Sequence, residues 1–129
     1  MNGTKILLDT NAIISLLKNE RNISTILSNY SEVYISVISV LEFQSYTHIT
    51  KADLELFNLF VSRIIVVDLF HTDFALQHEI IQIRKINKIK LPDAIIAATA
   101  LVNNLTLISR NVFDFNNVSG IIIIDPWTH

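Results

Sequence analysis

The stretch KLPDAIIAATALV, residues 90–102, decides the fold. Pro92 suits the first turn of a helix, where a missing backbone N–H goes unused. Behind it Ala94, Ile95, Ile96, Ala97, Ala98, Ala100, Leu101 and Val102 give the profile of a buried core helix. The alanines let neighbouring elements pack close. Asn103 and Asn104 mark its end, because Asn tolerates the conformation that terminates many helices. Asp93 is the misfit. It heads this apolar helix, and an Asp is rarely buried unless something compensates it.

Working outward, short apolar runs alternate with helical patterns. KILL (5–8), VYIS (33–36), IIVVDL (64–69), LTLIS (105–109) and GIIIID (120–125) read as strands. Helices are expected after DTN at 9–11, over NISTILSNY (22–30), over VISVLEFQSYT (37–47), and over KADLELFNLFVSRI (51–64), where Leu54, Phe57 and Val61 recur at helical steps. Another begins at the Thr72/Asp73 cap and runs to about Asn87, ahead of the 90–102 helix. Gly120 marks the turn before the last strand. Apolar strands without clean alternation, set between helices, predict an α/β fold: a three-layer sandwich whose central sheet has four to five short, mainly parallel strands. No repeat, linker or low-complexity segment interrupts the pattern, so residues 1–129 are expected to form one domain.

Composition narrows the function. The 129 residues contain no cysteine, which removes disulfides, thiolate zinc sites and Cys nucleophiles and fits a reducing cytoplasm. No apolar run approaches the roughly 20 residues of a spanning helix, and the N-terminus lacks a signal-peptide pattern, so a cytoplasmic protein without a membrane role is expected. The net charge of −2 gives no overall attraction to nucleic acid. Charge is uneven, however. Arg84, Lys85, Lys88 and Lys90, four of the ten basic residues, crowd just upstream of Asp93. They read either as a solvated helix end or as a phosphate-contacting patch. Arg84 and Lys88 share a face if the helix persists that far.

Sites in an open α/β sheet form at the carboxyl ends of its strands. Asp9 ends the first strand, Glu42 lies in a helix after the second, Asp93 heads the helix before the fourth, and Asp114 lies in the loop SRNVFDF after it. Singly, each is explicable as a cap, a surface acid or a favourable helix-dipole partner. Together they would repel, and like charges that close raise one another's pKa or need a cation between them. His48, His71, His78 and His129 show no ligand spacing and read as surface or packing residues. An all-oxygen site suits Mg²⁺ or Mn²⁺, whose chemistry on carboxylate ligands includes phosphodiester hydrolysis.

LLDTNAII, SVLEF, LPDAIIAATAL and LISRNVFDF, in that order, resemble the motif series of the PIN domain, and within it the VapC-type toxin ribonucleases of toxin–antitoxin pairs. The resemblance covers essentially the whole chain. It implies a metal-dependent endoribonuclease with Asp9, Glu42 and Asp93 as core acids, Thr10 and Asn11 supporting the first acid by hydrogen bonding, and Ser109 beside the metal. The fourth position is shared between Asn111 and Asp114. The resemblance also implies Mg²⁺ or Mn²⁺ as cofactor, a homodimer, a cognate antitoxin covering the active groove, and arrested translation when the toxin is free. Arg84, Lys88 and Lys90 are the candidate RNA contacts.

Other readings fit less well. An Asp-nucleophile phosphatase needs a second Asp two residues after Asp9, and that position is Asn11. A non-catalytic PIN-like binding module would be marked by loss of a core acid, and all three are present. A PIN nuclease of RNA processing outside the toxin class remains the main alternative.

Overall fold

The computed structural model describes residues 5–18 and 27–125. The helix expected over 22–30 therefore falls largely outside the described residues, as does His129. Among the described residues, five strands form one sheet: β1 (Lys5–Leu8), β2 (Glu32–Ser36), β3 (Ile65–Val67), β4 (Thr106–Ile108) and β5 (Ile123–Ile124). Their order is β3-β2-β1-β4-β5, and every pairing is parallel. The helices are α1 (Thr10–Leu17), α2 (Val37–Gln44), α3 (Lys51–Val61), α4 (Phe74–Ile86), α5 (Leu91–Val102) and α6 (Val112–Phe115).

The mostly apolar strands have a simple cause. Side chains alternate between the faces of a strand, and both faces of this sheet are covered. Leu7 and Leu107 point into a core with α4 and α5, where Leu76, Ile83, Ala94, Ala97 and Ala98 are buried. Ile6, Leu8, Ile35 and Ile108 point the other way, against Ala12, Ile13, Phe43 and Phe57 of α1, α2 and α3. The result is the three-layer α/β sandwich that the sequence predicts. Burying each Leu or Ile contributes roughly 1.5–3 kcal/mol, so the central strand β1 is anchored from both sides.

Local chemistry sets the element ends. Thr50 and Asp53 form a reciprocal capping box at the start of α3. Asp73 caps α4 by accepting from the Leu76 N–H at 3.1 Å. Asn104, at φ 55°, takes the left-handed conformation just past α5, and Gly120 takes φ 84° in the turn before β5.

Three local expectations are corrected. The strands expected over 64–69 and 120–125 shrink to Ile65–Val67 and Ile123–Ile124, because each is an edge strand with a single neighbour to pair with. Asp114 is not in a loop but in the one-turn helix α6, pinned by fully buried Phe115. Arg84 and Lys88 do not share a helix face. The helix α4 ends at Ile86, where the Asn87 side chain donates to the Ile83 carbonyl and its backbone turns extended (φ −118°, ψ 145°).

Candidate active site

The strand order places the site. From β1 the chain moves outward to β2 and β3, then returns to the opposite side of β1 for β4 and β5. The reversal falls between β1 and β4, and such switch points open a crevice at the carboxyl edge of a parallel sheet. Asp9 follows β1 directly, and Ser109 follows β4. The Ser109 hydroxyl donates to Asp9 Oδ2 at 2.5 Å and accepts the Asn111 N–H at 2.9 Å. The other Asp9 oxygen, Oδ1, accepts the Ala12 N–H at 2.8 Å, making Asp9 the N-cap of α1.

Glu42 arrives from the far side of β1. Parallel pairing of β2 with β1 brings α2 beside α1. There Thr10 Oγ1 lies 2.6 Å from Glu42 Oε1 and 3.1 Å from Ser39 Oγ. A hydroxyl has one hydrogen. Given to the carboxylate, it leaves the Thr10 lone pairs to accept from fully buried Ser39. The expected roles therefore shift. Thr10 supports Glu42 rather than Asp9. Asn11 lines the cavity without bonding Asp9, whose donors are Ser109 and the α1 N-terminus.

Asp93 comes from the first turn of α5, where Lys90 is the N-cap and contributes no side-chain cap bond. It is half-buried, and among the described residues no group hydrogen-bonds its carboxylate. Asp9, Glu42 and Asp93 line one cavity of about 440 Å³ with Thr10, Asn11, Ser45, Tyr46, Ile96 and Asn111. Asp114 is outside this lining. It is exposed, and its Oδ2 accepts from Asn111 Nδ2 at 2.8 Å, so the two candidates for the fourth position are joined to each other.

The electrostatics match this geometry. Burial pushes the Asp9 carboxyl from an ordinary 3.8 to about 6, against the lowering effect of its Ser109 and Ala12 bonds, and Asp93 and Glu42 add to the rise. Burial also raises Asp93, with Glu42 and Asp114 contributing and Lys90 opposing. The Tyr46 hydroxyl is raised by burial, then by Glu42 and Asp9. Lys90 is thus near enough to be felt at Asp93.

The acids are not drawn into a ready cage. Among the described residues, no three His, Cys, Asp or Glu side chains stand close enough to grip one ion as they are. The donor chemistry still fits Mg²⁺ or Mn²⁺. Mg²⁺ keeps several waters and binds through one or two carboxylates together with substrate phosphate, and Asp93 offers a carboxylate that no protein donor occupies. His48, His71 and His78 are exposed and contribute nothing to this cavity. Sequence reading missed Ser39, Ser45 and Tyr46. Ser39 alone carried a signal, lying three residues before Glu42 on one helix face.

Among the described residues no helix is long and apolar enough to cross a membrane. Comparison with functionally curated proteins gives no significant match. Solved structures do match. A toxin–antitoxin complex from Klebsiella pneumoniae is 28% identical at a TM-score of 0.76, with 94% of this chain and 97% of that chain covered. VapBC-1 from nontypeable Haemophilus influenzae is 26% identical at 0.77, covering 97% and 99%. DNA-bound VapBC from Salmonella typhimurium is 26% identical at 0.75, covering 98% and 99%. The family model of the PIN domain matches residues 6–120, and the chain belongs to that family.

Proposed function

We propose that this PIN domain is a Mg²⁺- or Mn²⁺-dependent endoribonuclease, the toxin of a type II toxin–antitoxin pair, which inhibits translation by hydrolysing RNA phosphodiester bonds. Asp9, Glu42 and Asp93 hold the cation, and Asp114 acts from outside through Asn111. One observation carries the reading. Three acids from three separate elements line one cavity, and among the described residues the half-buried Asp93 has no protein donor. Acidic groups arranged for folding alone would be paired or solvated.

When bound, the divalent cation supplies charge to polarise a phosphoryl oxygen and acidify water. The chain's own residues prepare the place. Ser109 and the Ala12 N–H fix both oxygens of Asp9. Thr10 fixes Glu42 and is itself held by Ser39. Lys90, whose charge is felt at Asp93, would bring a phosphate toward it. The likeness to toxin–antitoxin complexes supports a cognate antitoxin as partner. All three core acids being present speaks against a binding-only module.

The test is cleavage of a labelled single-stranded RNA with Mg²⁺, with Mn²⁺ and with chelator. The reading expects cutting with either metal, none with chelator, and relief of cutting by the antitoxin encoded beside it. Metal-independent cutting, or no cutting of any RNA, overturns it.

A further inference from the structure

We propose that Tyr46 is a stacking platform for an RNA base adjoining the scissile phosphate, and that the apolar cavity beside it receives that base. The proposal rests on the nuclease reading and deepens it.

Tyr46 is the wall between two cavities. One side is the acidic cavity of Asp9, Glu42 and Asp93. The other is a cavity of about 380 Å³ with a mostly apolar lining of Ile14, Leu17, Phe43, Ile49 and Leu56, which also includes Lys18, Thr47, His48 and Asp53. This volume lies at the lower end of small-molecule pockets, roughly 300–1,000 Å³. A nucleotide has the same two-part chemistry: a charged phosphate beside an apolar ring with π-faces. Single-stranded RNA is gripped in this way, its backbone by charge and its splayed bases by aromatic side chains.

The ring is well anchored. Tyr46 packs edge-on against Phe43 at 6.5 Å and 75°, and Phe43 stacks on Phe57 at 4.1 Å and 9°. Phe43 and Phe57 are buried, yet Tyr46 keeps 45% of its surface exposed. Among the described residues no hydrogen bond holds its hydroxyl, so no polar contact there explains the residue. A ring braced on one edge, open to solvent and set between acids and an apolar hollow has the features of a platform.

The test compares two labelled probes by fluorescence anisotropy: a short single-stranded RNA of mixed sequence, and the same backbone with its bases removed. An Asp93→Asn background prevents cutting. Tyr46→Ala is expected to weaken binding of the base-bearing RNA by about 5- to 150-fold, the range of one lost base–aromatic stack. Tyr46→Phe should stay within about twofold of the parent, and all three proteins should bind the base-free probe alike. Equal weakening on both probes makes Tyr46 a structural brace and overturns the proposal, as does unchanged binding in Tyr46→Ala. Cleavage by the chain with Asp93 intact is followed in parallel. If that chain cuts RNA normally and Tyr46→Ala matches it in KM, stacking fails while the nuclease reading stands. If it neither binds nor cuts, both fail.

Discussion

Asp9 and Asp93 face the same cavity under opposite conditions. Asp9 is 5% exposed, and each of its oxygens takes a hydrogen bond from the fold. Asp93 is half-buried and, among the described residues, takes none. Asp9 is therefore placed by the protein alone, through the N-terminus of α1 and a serine one hundred positions away. The backbone places Asp93, and its carboxylate is left available. The contrast separates two contributions that motif matching merges. One acid is fixed by the fold, and the other takes no hydrogen bond among the described residues.

The contrast is broken most severely by Asp93→Asn. It should lower RNA cleavage beyond the roughly 10–100-fold typical of outer-shell changes, while the melting temperature of the metal-free protein holds or rises. Cleavage assays and calorimetry on the same preparation check both halves.

Asp9→Asn sharpens the comparison through stability. The Asp9 carboxyl is raised to about 6 in the folded chain, against 3.8 for an ordinary Asp. Between those values the folded state holds more protons than the unfolded state, so stability falls as pH rises. Above pH 6 the loss is complete, at about 3 kcal/mol. Asn keeps the cap on Ala12 and carries no charge. The variant should therefore recover up to about 3 kcal/mol at pH 8 without metal and show a shallower fall between pH 4 and 6, where the raised Asp93 carboxyl still titrates. Urea titrations across that range would show it. A wild-type profile that rises over the same interval contradicts the assignment.

Asp114→Ala should be milder, at about tenfold or less in cleavage, because Asp114 is exposed and reaches the cavity through Asn111. A loss equal to that of Asp93→Ala would make it a full ligand. The smallest effect is expected from replacing Arg84, Lys88 and Lys90 together by Ala. Metal affinity should hold, and the slope of log affinity against log salt should fall by roughly 0.7 for each phosphate contact removed. With α4 ending at Ile86 and Lys90 felt at Asp93, a fall near a single contact is expected.

Much of this was legible in the sequence because it is local. Pro92 and the apolar run behind it set α5. Asp73 and Asn104 set helix ends. KILL requires a strand covered on both faces. The three acids could be placed because strand ends are where a parallel sheet opens. What escaped depends on distant partners. Thr10 turns to Glu42, 32 positions on, and not to its neighbour Asp9. The helix α6 is a single turn, too short for any period to show, and is held by Phe115. Asn87 stops α4 through a side-chain bond to the Ile83 carbonyl, which separates Arg84 from Lys88. Tyr46 lies past the end of α2, where helical spacing no longer indicates which way a side chain faces.

The central claim is that the acids at the carboxyl edge jointly hold a divalent cation. Thermal unfolding of the wild-type chain at increasing Mn²⁺ tests it without requiring any RNA. A ligand that binds only the folded state stabilises it by about 2.7 kcal/mol at one hundred times its Kd. The melting temperature of the wild-type chain should therefore climb steadily with Mn²⁺ concentration, and Asp93→Asn should lose most of that climb. A wild-type melting temperature indifferent to Mn²⁺, or an equal climb in Asp93→Asn, would contradict the account.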